Sequence, residues 1–259
     1  MKTIKYLVTI LILVTGFVSY GQQLPLLSNY YVNPYLNNPA YAGLKGNNIF
    51  LLNRSQWVGV EGKPETILGT IDGLLQNGKV GYGALIYNDV VNILGKTGIF
   101  GTYSYKISLP KSSILSLGFS LGFEQNCILF DRVKAEVPME ITLIDNASQK
   151  TNFDANFGVS YHIKGLNLGI AGFQLFGNKN VIMNQETKES YSFRFVRHIV
   201  GTASYRIPIK PGIFFIDPLL TIRSGIGLKP QTDVSVIGNY KDKVWLGAGY
   251  RQQFGLDFW

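Results

Sequence analysis

The sequence predicts an all-β fold, an antiparallel transmembrane β-barrel of about twelve strands (about 10–14) preceded by a short irregular N-terminal segment. Three observations predict it. Charged residues make up 15% of the 259, while aromatics reach 13% and glycine occurs 29 times; ordinary soluble domains carry roughly 25% charge. Apolar residues alternate strictly with small or polar ones over lengths that can cross a bilayer. Short and long connections also alternate along the chain, as they do where short turns face the periplasm and long loops face outward. A secreted β-sandwich alternates too, but its polar face meets bulk water, where Lys, Glu and Thr are favoured. Here that face is mostly Gly, Ser and Asn, which suits a hydrated lumen.

The N-terminus reads as a targeting segment, residues 1–21. Met1–Lys5 is positively charged, Tyr6–Val18 is a nearly unbroken apolar stretch, and Ser19-Tyr20-Gly21 places small residues at −3 and −1, predicting cleavage after Gly21. The apolar stretch is short for a spanning helix of about 20 residues. No later stretch is apolar for long enough to span as a helix, so membrane residence requires strands. Residues 22–46 form the lead segment, periplasmic or lumenal. Pro25, Pro34 and Pro39 break helix and sheet alike, and Asn33-Pro34 and Asn38-Pro39 read as turns.

The barrel is assigned to residues 47–259. Its clearest strand is Ile114–Gln125, where Leu115, Leu117, Phe119, Leu121 and Phe123 share one face and Ser116, Gly118, Ser120, Gly122 and Glu124 the other. Over Asn152–Lys164, Phe153, Ala155, Phe157, Val159, Tyr161 and Ile163 oppose Asp154, Asn156, Gly158, Ser160 and His162. Strands are expected near 47–58, 64–73, 79–88, 94–108, 113–126, 151–163, 166–175, 193–207, 213–224, 231–239 and 243–251, with a stub at 253–259. The short connections are Leu74–Gly78, Leu109–Ser112, Lys164-Gly165, Pro208–Gly212 and Tyr240–Asp242; the long ones are Cys127–Lys150 and Phe176–Ser192. Both long ones fall on the outer side if the N-terminus is periplasmic.

Charge and chemistry narrow the function. Lys and Arg number 24 against 16 Asp and Glu, a formal net charge of +8, spread without the basic runs of a nucleic-acid binder. A basic rim could attract anionic lipid headgroups or acidic partners. Cys127 is the sole cysteine, so no intrachain disulfide forms. The two histidines, His162 and His198, fall on lumenal faces, and Arg194 and Arg197 beside His198 oppose metal binding. No nucleophile elbow, P-loop or His-Glu-x-x-His is present. No catalytic residue, metal or cofactor is therefore expected. Asp72, Glu124 and Asp154 can pair with Arg54, Lys106, Arg206 and Arg223 across the lumen, as inward charges in a membrane barrel do.

Several motifs resemble one family. Tyr30–Pro34 (Tyr-Tyr-Val-Asn-Pro) and Asn38-Pro39-Ala40-Tyr41-Ala42-Gly43 resemble the start of the PorP/SprF proteins, membrane components of the type IX secretion system of Bacteroidetes. Arg54-Ser55-Gln56-Trp57-Val58-Gly59, Gly62-Lys63-Pro64-Glu65-Thr66 and Trp245-Leu246-Gly247-Ala248-Gly249-Tyr250-Arg251 are similar to later elements of that family. Members usually run several strands past the last element, whereas this chain stops at Trp259; a smaller barrel or a C-terminally shortened one is expected. The resemblance implies a non-enzymatic outer-membrane role in type IX secretion or gliding motility. Its implied partners are ring or motor components and secreted cargo, beside outer-membrane lipid and no nucleic acid.

Two local expectations follow. Arg54 and Gln56 share one face of the first strand and can hold Asn38–Gly43 against the inner wall; alternatively they face lumenal water and Trp57 is an interface anchor. Apolar residues in the long loops, Val137–Ile141 and Val181–Met183, mark partner binding or packing against the barrel mouth. A passive porin-like channel is the rival function, with ion conductance as the discriminator.

Overall fold

The computed structural model describes residues 30–129, 132, 149–183, 190–194, 196–252 and 255–258. The proposed leader and the apolar stretch 137–141 lie outside them. Among these residues fifteen strands follow two 3-10 turns, Pro34–Asn37 and Pro39–Tyr41. The first strands are β1 (Asn48–Ser55), β2 (Glu65–Leu74), β3 (Val80–Val91), β4 (Leu94–Leu109), β5 (Ser113–Ile128), β6 (Gln149–Ile163) and β7 (Leu166–Phe173). Then come β8 (Lys179–Met183), β9 (Ser190–Arg194), β10 (His198–Tyr205), β11 (Ile207–Lys210), β12 (Phe214–Gly225), β13 (Gln231–Tyr240), β14 (Val244–Arg251) and β15 (Gly255–Phe258).

One 13-stranded antiparallel sheet runs β1 through β7, then β10, β12, β13, β14 and β15, with β11 paired to β12. All twelve expected strands are present. Two details differ. The expected loop Phe176–Ser192 contains a separate antiparallel pair, β8–β9, to which Val181-Ile182 and Tyr191 supply strand-forming residue types. The expected strand 193–207 is therefore divided, its first residues belonging to β9 and the rest to β10. Among the described residues no ladder joins β1 to β15.

Burial in this sheet is inverted relative to a soluble protein. Among the described residues, buried polar and charged side chains outnumber buried hydrophobic ones about two to one. Along β5, Leu117, Phe119, Leu121 and Phe123 are exposed while Ser116, Gly118, Ser120 and Glu124 are buried. Leu51 is 80% exposed and Leu246 77%. In water each such side chain forgoes about 1.5–3 kcal/mol of burial. Rows of them around one face are tenable only in an apolar medium, so the convex face is the lipid face.

The register fixes the rest. Tyr82 faces Tyr103 across β3–β4, and Ser120 faces Asn156 across β5–β6, so like residues form outer and inner rows. Ala155 departs from its expected lipid-facing position and is 2% exposed. The chain beyond β7 lies against it: Leu175 N donates to Ala155 O at 3.1 Å, and Phe176 stacks on Phe153 with centroids 5.7 Å apart. A small apolar core sits inside the barrel wall, where Leu68, Tyr87 and Phe100 pack with Leu85, Phe50, Leu52 and Leu36. Leu36 comes from the lead segment.

Candidate functional site

The described part of the lead segment, residues 30–46, packs on the buried face of the sheet near the short turns. Two prolines start its 3-10 turns at positions where a missing N–H costs nothing. Asn38 closes the second turn, its Oδ1 accepting from Ala40 N at 2.8 Å, while its Nδ2 donates to Val159 O (3.0 Å) and Ile170 O (3.2 Å). One asparagine thus caps the turn and ties it to the wall.

Other segment residues reach the remaining strands. Tyr30 Oη pairs with Ser235 Oγ at 3.2 Å. Tyr31 Oη donates to Asp217 at 2.8 Å and accepts from Asn239 at 3.0 Å. Asn33 Nδ2 donates to Thr70 at 2.7 Å, Tyr35 Oη pairs with Thr102 at 2.6 Å, and Tyr41 Oη with Thr202 at 3.0 Å. Strands from β2 to β13 therefore meet one short segment, which requires the sheet to curl around it. These polar pairs satisfy groups that would otherwise be buried without partners.

The segment leaves through Gly43, whose φ of +69° suits glycine. Its N–H donates to Asp72 Oδ2 at 2.8 Å, and its carbonyl accepts from Lys106 Nζ at 2.6 Å. Ser104 Oγ donates to Ala42 O at 3.0 Å. Asp72 and Lys106 thus grip the segment where it leaves the wall. Arg54 lies opposite Thr66, whereas the segment is gripped at Thr70 and Asp72 of the same strand, four to six residues or roughly 13–20 Å along it. Arg54 and Gln56 face inward at the other end of the β1–β2 hairpin. Trp57, Gly59 and Pro64 stand in its connection, with Trp57 68% exposed and Gln56 N donating to Pro64 O at 3.0 Å.

The wall makes room by glycine. A Cβ on Gly118 would lie 2.2 Å from Ala40 N, one on Gly158 2.0 Å from Asn38 Oδ1, and one on Gly81 2.3 Å from Ala42 O. Period-2 glycines on the inner face were the sequence signal for this docking, legible only as wall spacing until the segment was placed.

The C-terminal motif has two roles. Trp245 faces inward and meets Tyr31 edge-on, centroids 6.0 Å apart. Arg251, buried, donates to Asp233 Oδ1 at 3.1 Å, while Arg223 pairs with the other carboxylate oxygen. Gly247 lies buried on the same inner face, and Tyr250 is exposed on the lipid face. The inward charges pair between neighbouring strands rather than across the lumen, and with partners other than those expected: Lys96 with Glu124 (3.1 Å), Arg206 with Asp217 (3.6 Å), and Arg223 and Arg251 with Asp233. His162 Nδ1 pairs with Asn167 at 2.6 Å, and His198 is buried beside Gln174. Burial pushes the Tyr35 phenol up to about 12. It does the same for Tyr31, where the Asp217 carboxylate adds to the rise.

A family model described as type IX secretion system membrane protein PorP/SprF matches residues 19–258. No curated protein matches the chain. Among solved structures, a crystal structure of a mutant ferric enterobactin receptor (PfeA) from Pseudomonas aeruginosa is similar at 10% identity and a TM-score of 0.39. That match covers 82% of this chain and 40% of the receptor chain, so the chain spans well under half the receptor's length.

Proposed function

Because the chain belongs to the PorP/SprF family of type IX secretion system membrane proteins, we propose that it is an outer-membrane component of that system that works by docking other secretion components or cargo. In this reading residues 1–21 are a leader removed after Gly21, residues 22–46 form the N-terminal segment whose stretch from Tyr30 onward plugs the lumen, and no catalysis is performed. The observation that carries it is the lead segment held by Asp72 and Lys106. It fills the short-turn end of the lumen, where a passive channel needs an open path. The family motifs that serve no chemistry serve this plug instead: Asn38 and Gly43 within it, and Trp245 against it. Partner docking then falls to the two rims.

The test is affinity isolation of the tagged protein from outer membranes, with identification of co-purifying proteins, alongside conductance in planar bilayers. Recovery of secretion components together with little conductance supports the docking role. Steady large conductance without co-purifying secretion proteins would establish the porin instead.

A further inference from the structure

The short-turn rim carries a charge pattern that the docking role does not use. Each described short turn presents an exposed lysine: Lys79, Lys111, Lys164, Lys210, and both Lys241 and Lys243. Among the described residues none of these six ammonium groups is in an ion pair. The exposed acid of these turns, Asp242, is taken by Arg206. The opposite end mixes signs, as in the Lys63–Glu65 pair at 2.8 Å.

Three of these lysines are kept against local preference. Lys111, Lys164 and Lys241 have φ of +62°, +45° and +54° and head two-residue turns whose second residue is also left-handed. Such turns favour Asn or Gly at that position, and a left-handed residue with a Cβ costs roughly 1–2 kcal/mol.

Their placement says what they meet. Lipid-facing apolar residues run up to four of these five turns: Leu109 two residues before Lys111, Ile163 directly before Lys164, Ile209 directly before Lys210, and Tyr240 directly before Lys241. One or two residues is about 3–7 Å along a strand, the depth of one headgroup layer. Lysines at this height reach headgroup phosphates, and a partner standing off in the periplasm would lie beyond them.

Below Lys164 the outer wall is hollowed. An apolar groove of about 420 Å³ crosses β6, β7, β10 and β12, lined by Val159, Tyr161, Ile170, Gly201, Leu220 and Ile222 among others. Gly201 forms its floor, and a Cβ there would meet no atom within 4 Å. The groove begins three residues from Lys164, at acyl-chain depth in the same leaflet.

We propose that this rim binds an anionic phospholipid, its phosphate on Lys164, with Lys210 of the neighbouring hairpin adding to the basic rim, and one acyl chain in the groove over Gly201. The site rests on the membrane placement adopted above. It gives the barrel a fixed depth and a preference for negatively charged lipid in the leaflet on the short-turn side.

The test uses the full chain in nanodiscs of phosphatidylcholine doped with phosphatidylglycerol, with retained lipid read by native mass spectrometry. Phosphatidylglycerol should be retained over phosphatidylcholine, and the K164Q/K210Q double variant should lower that retention about tenfold. Gly201→Leu, which fills open space, should expel the lipid while heat-modifiable gel mobility stays native. Lys63→Gln and Lys229→Gln at the far end should change nothing. Equal retention of both lipids, or undiminished phosphatidylglycerol on both the lysine and the Gly201 variants, overturns the site. Binding of poly-L-glutamate that needs these lysines, without selective phosphatidylglycerol retention, would make the rim a protein-docking surface and overturn it equally. Partners that still co-purify with K164Q/K210Q leave the docking role standing whatever becomes of the lipid.

Discussion

Gly118 of β5 lies so close to Ala40 that a Cβ on the glycine would fall 2.2 Å from the Ala40 nitrogen. The wall and the segment it encloses are therefore fitted to each other. Gly118→Val should leave the strand intact, since valine favours β-structure, yet expel the segment. The expected outcome is native heat-modifiable mobility with a large rise in conductance. A variant as silent as the parent would show that the segment does not close the lumen.

Lys106 donates to the Gly43 carbonyl at 2.6 Å while Asp72 accepts from the Gly43 N–H. Lys106→Met removes a charged hydrogen bond and one of the two cations near the Asp72 carboxylate, leaving Lys45. A loss of about 1.5–3 kcal/mol is expected, read as a lower urea midpoint for unfolding from detergent. Ser104→Ala, which removes a neutral donor to Ala42 O, should cost less, about 0.5–1.5 kcal/mol.

Leu121 is exposed on the convex face of β5. On a soluble protein Leu121→Arg would be nearly neutral, within about 0.5 kcal/mol. Facing lipid near mid-strand it should cost about 2–4 kcal/mol of folding into vesicles. Equilibrium refolding into phosphatidylcholine liposomes measures the difference, and a neutral result would remove the lipid from that face.

Arg251 is buried against Asp233. Arg251→Met leaves that carboxylate to Arg223, so the loss should be that of one charged hydrogen bond, about 1.5–3 kcal/mol, below the cost of an uncompensated buried charge. Arg251→Lys should recover part of it, because a lysine keeps the charge but not the planar fork. The unfolding midpoints of the two variants, compared with the parent, check both statements.

Alkali should release the segment. The Tyr35 phenol ionises at an ordinary 10.0 when unfolded and at about 12 in place, and Tyr31 behaves alike. The folded state holds the proton more tightly, so this stabilisation is complete below pH 10 and is lost as pH rises from 10 through 12. Conductance should increase over that window, and Tyr35→Phe should shrink the change. A flat profile between pH 10 and 12 would contradict the burial of these rings.

Much of the fold was legible because a membrane wall writes its two faces into a period of two. Leu117, Phe119 and Leu121 against Ser116, Gly118 and Ser120 needed no partner to be read. The β8–β9 pair was missed because five-residue strands give too short a pattern. Sharing an inner face lets Arg54 and Gln56 be read either as a clamp or as residues facing lumenal water, and periodicity does not choose between them. Which inner residue lies beside Gly43 depends on height along the wall, and Asp72 and Lys106 reach that height from different strands.

The sequence by itself determined the alternation, the turn positions and the lead segment's refusal of helix and sheet, since all three are local consequences of side-chain type and proline. Tertiary structure decided that this segment lies inside the wall, that inner glycines exist to admit it, and that Arg251 answers Asp233. Those facts depend on strand register and curl, which bring together residues as distant as Tyr30 and Ser235; no local pattern along the chain records such a meeting.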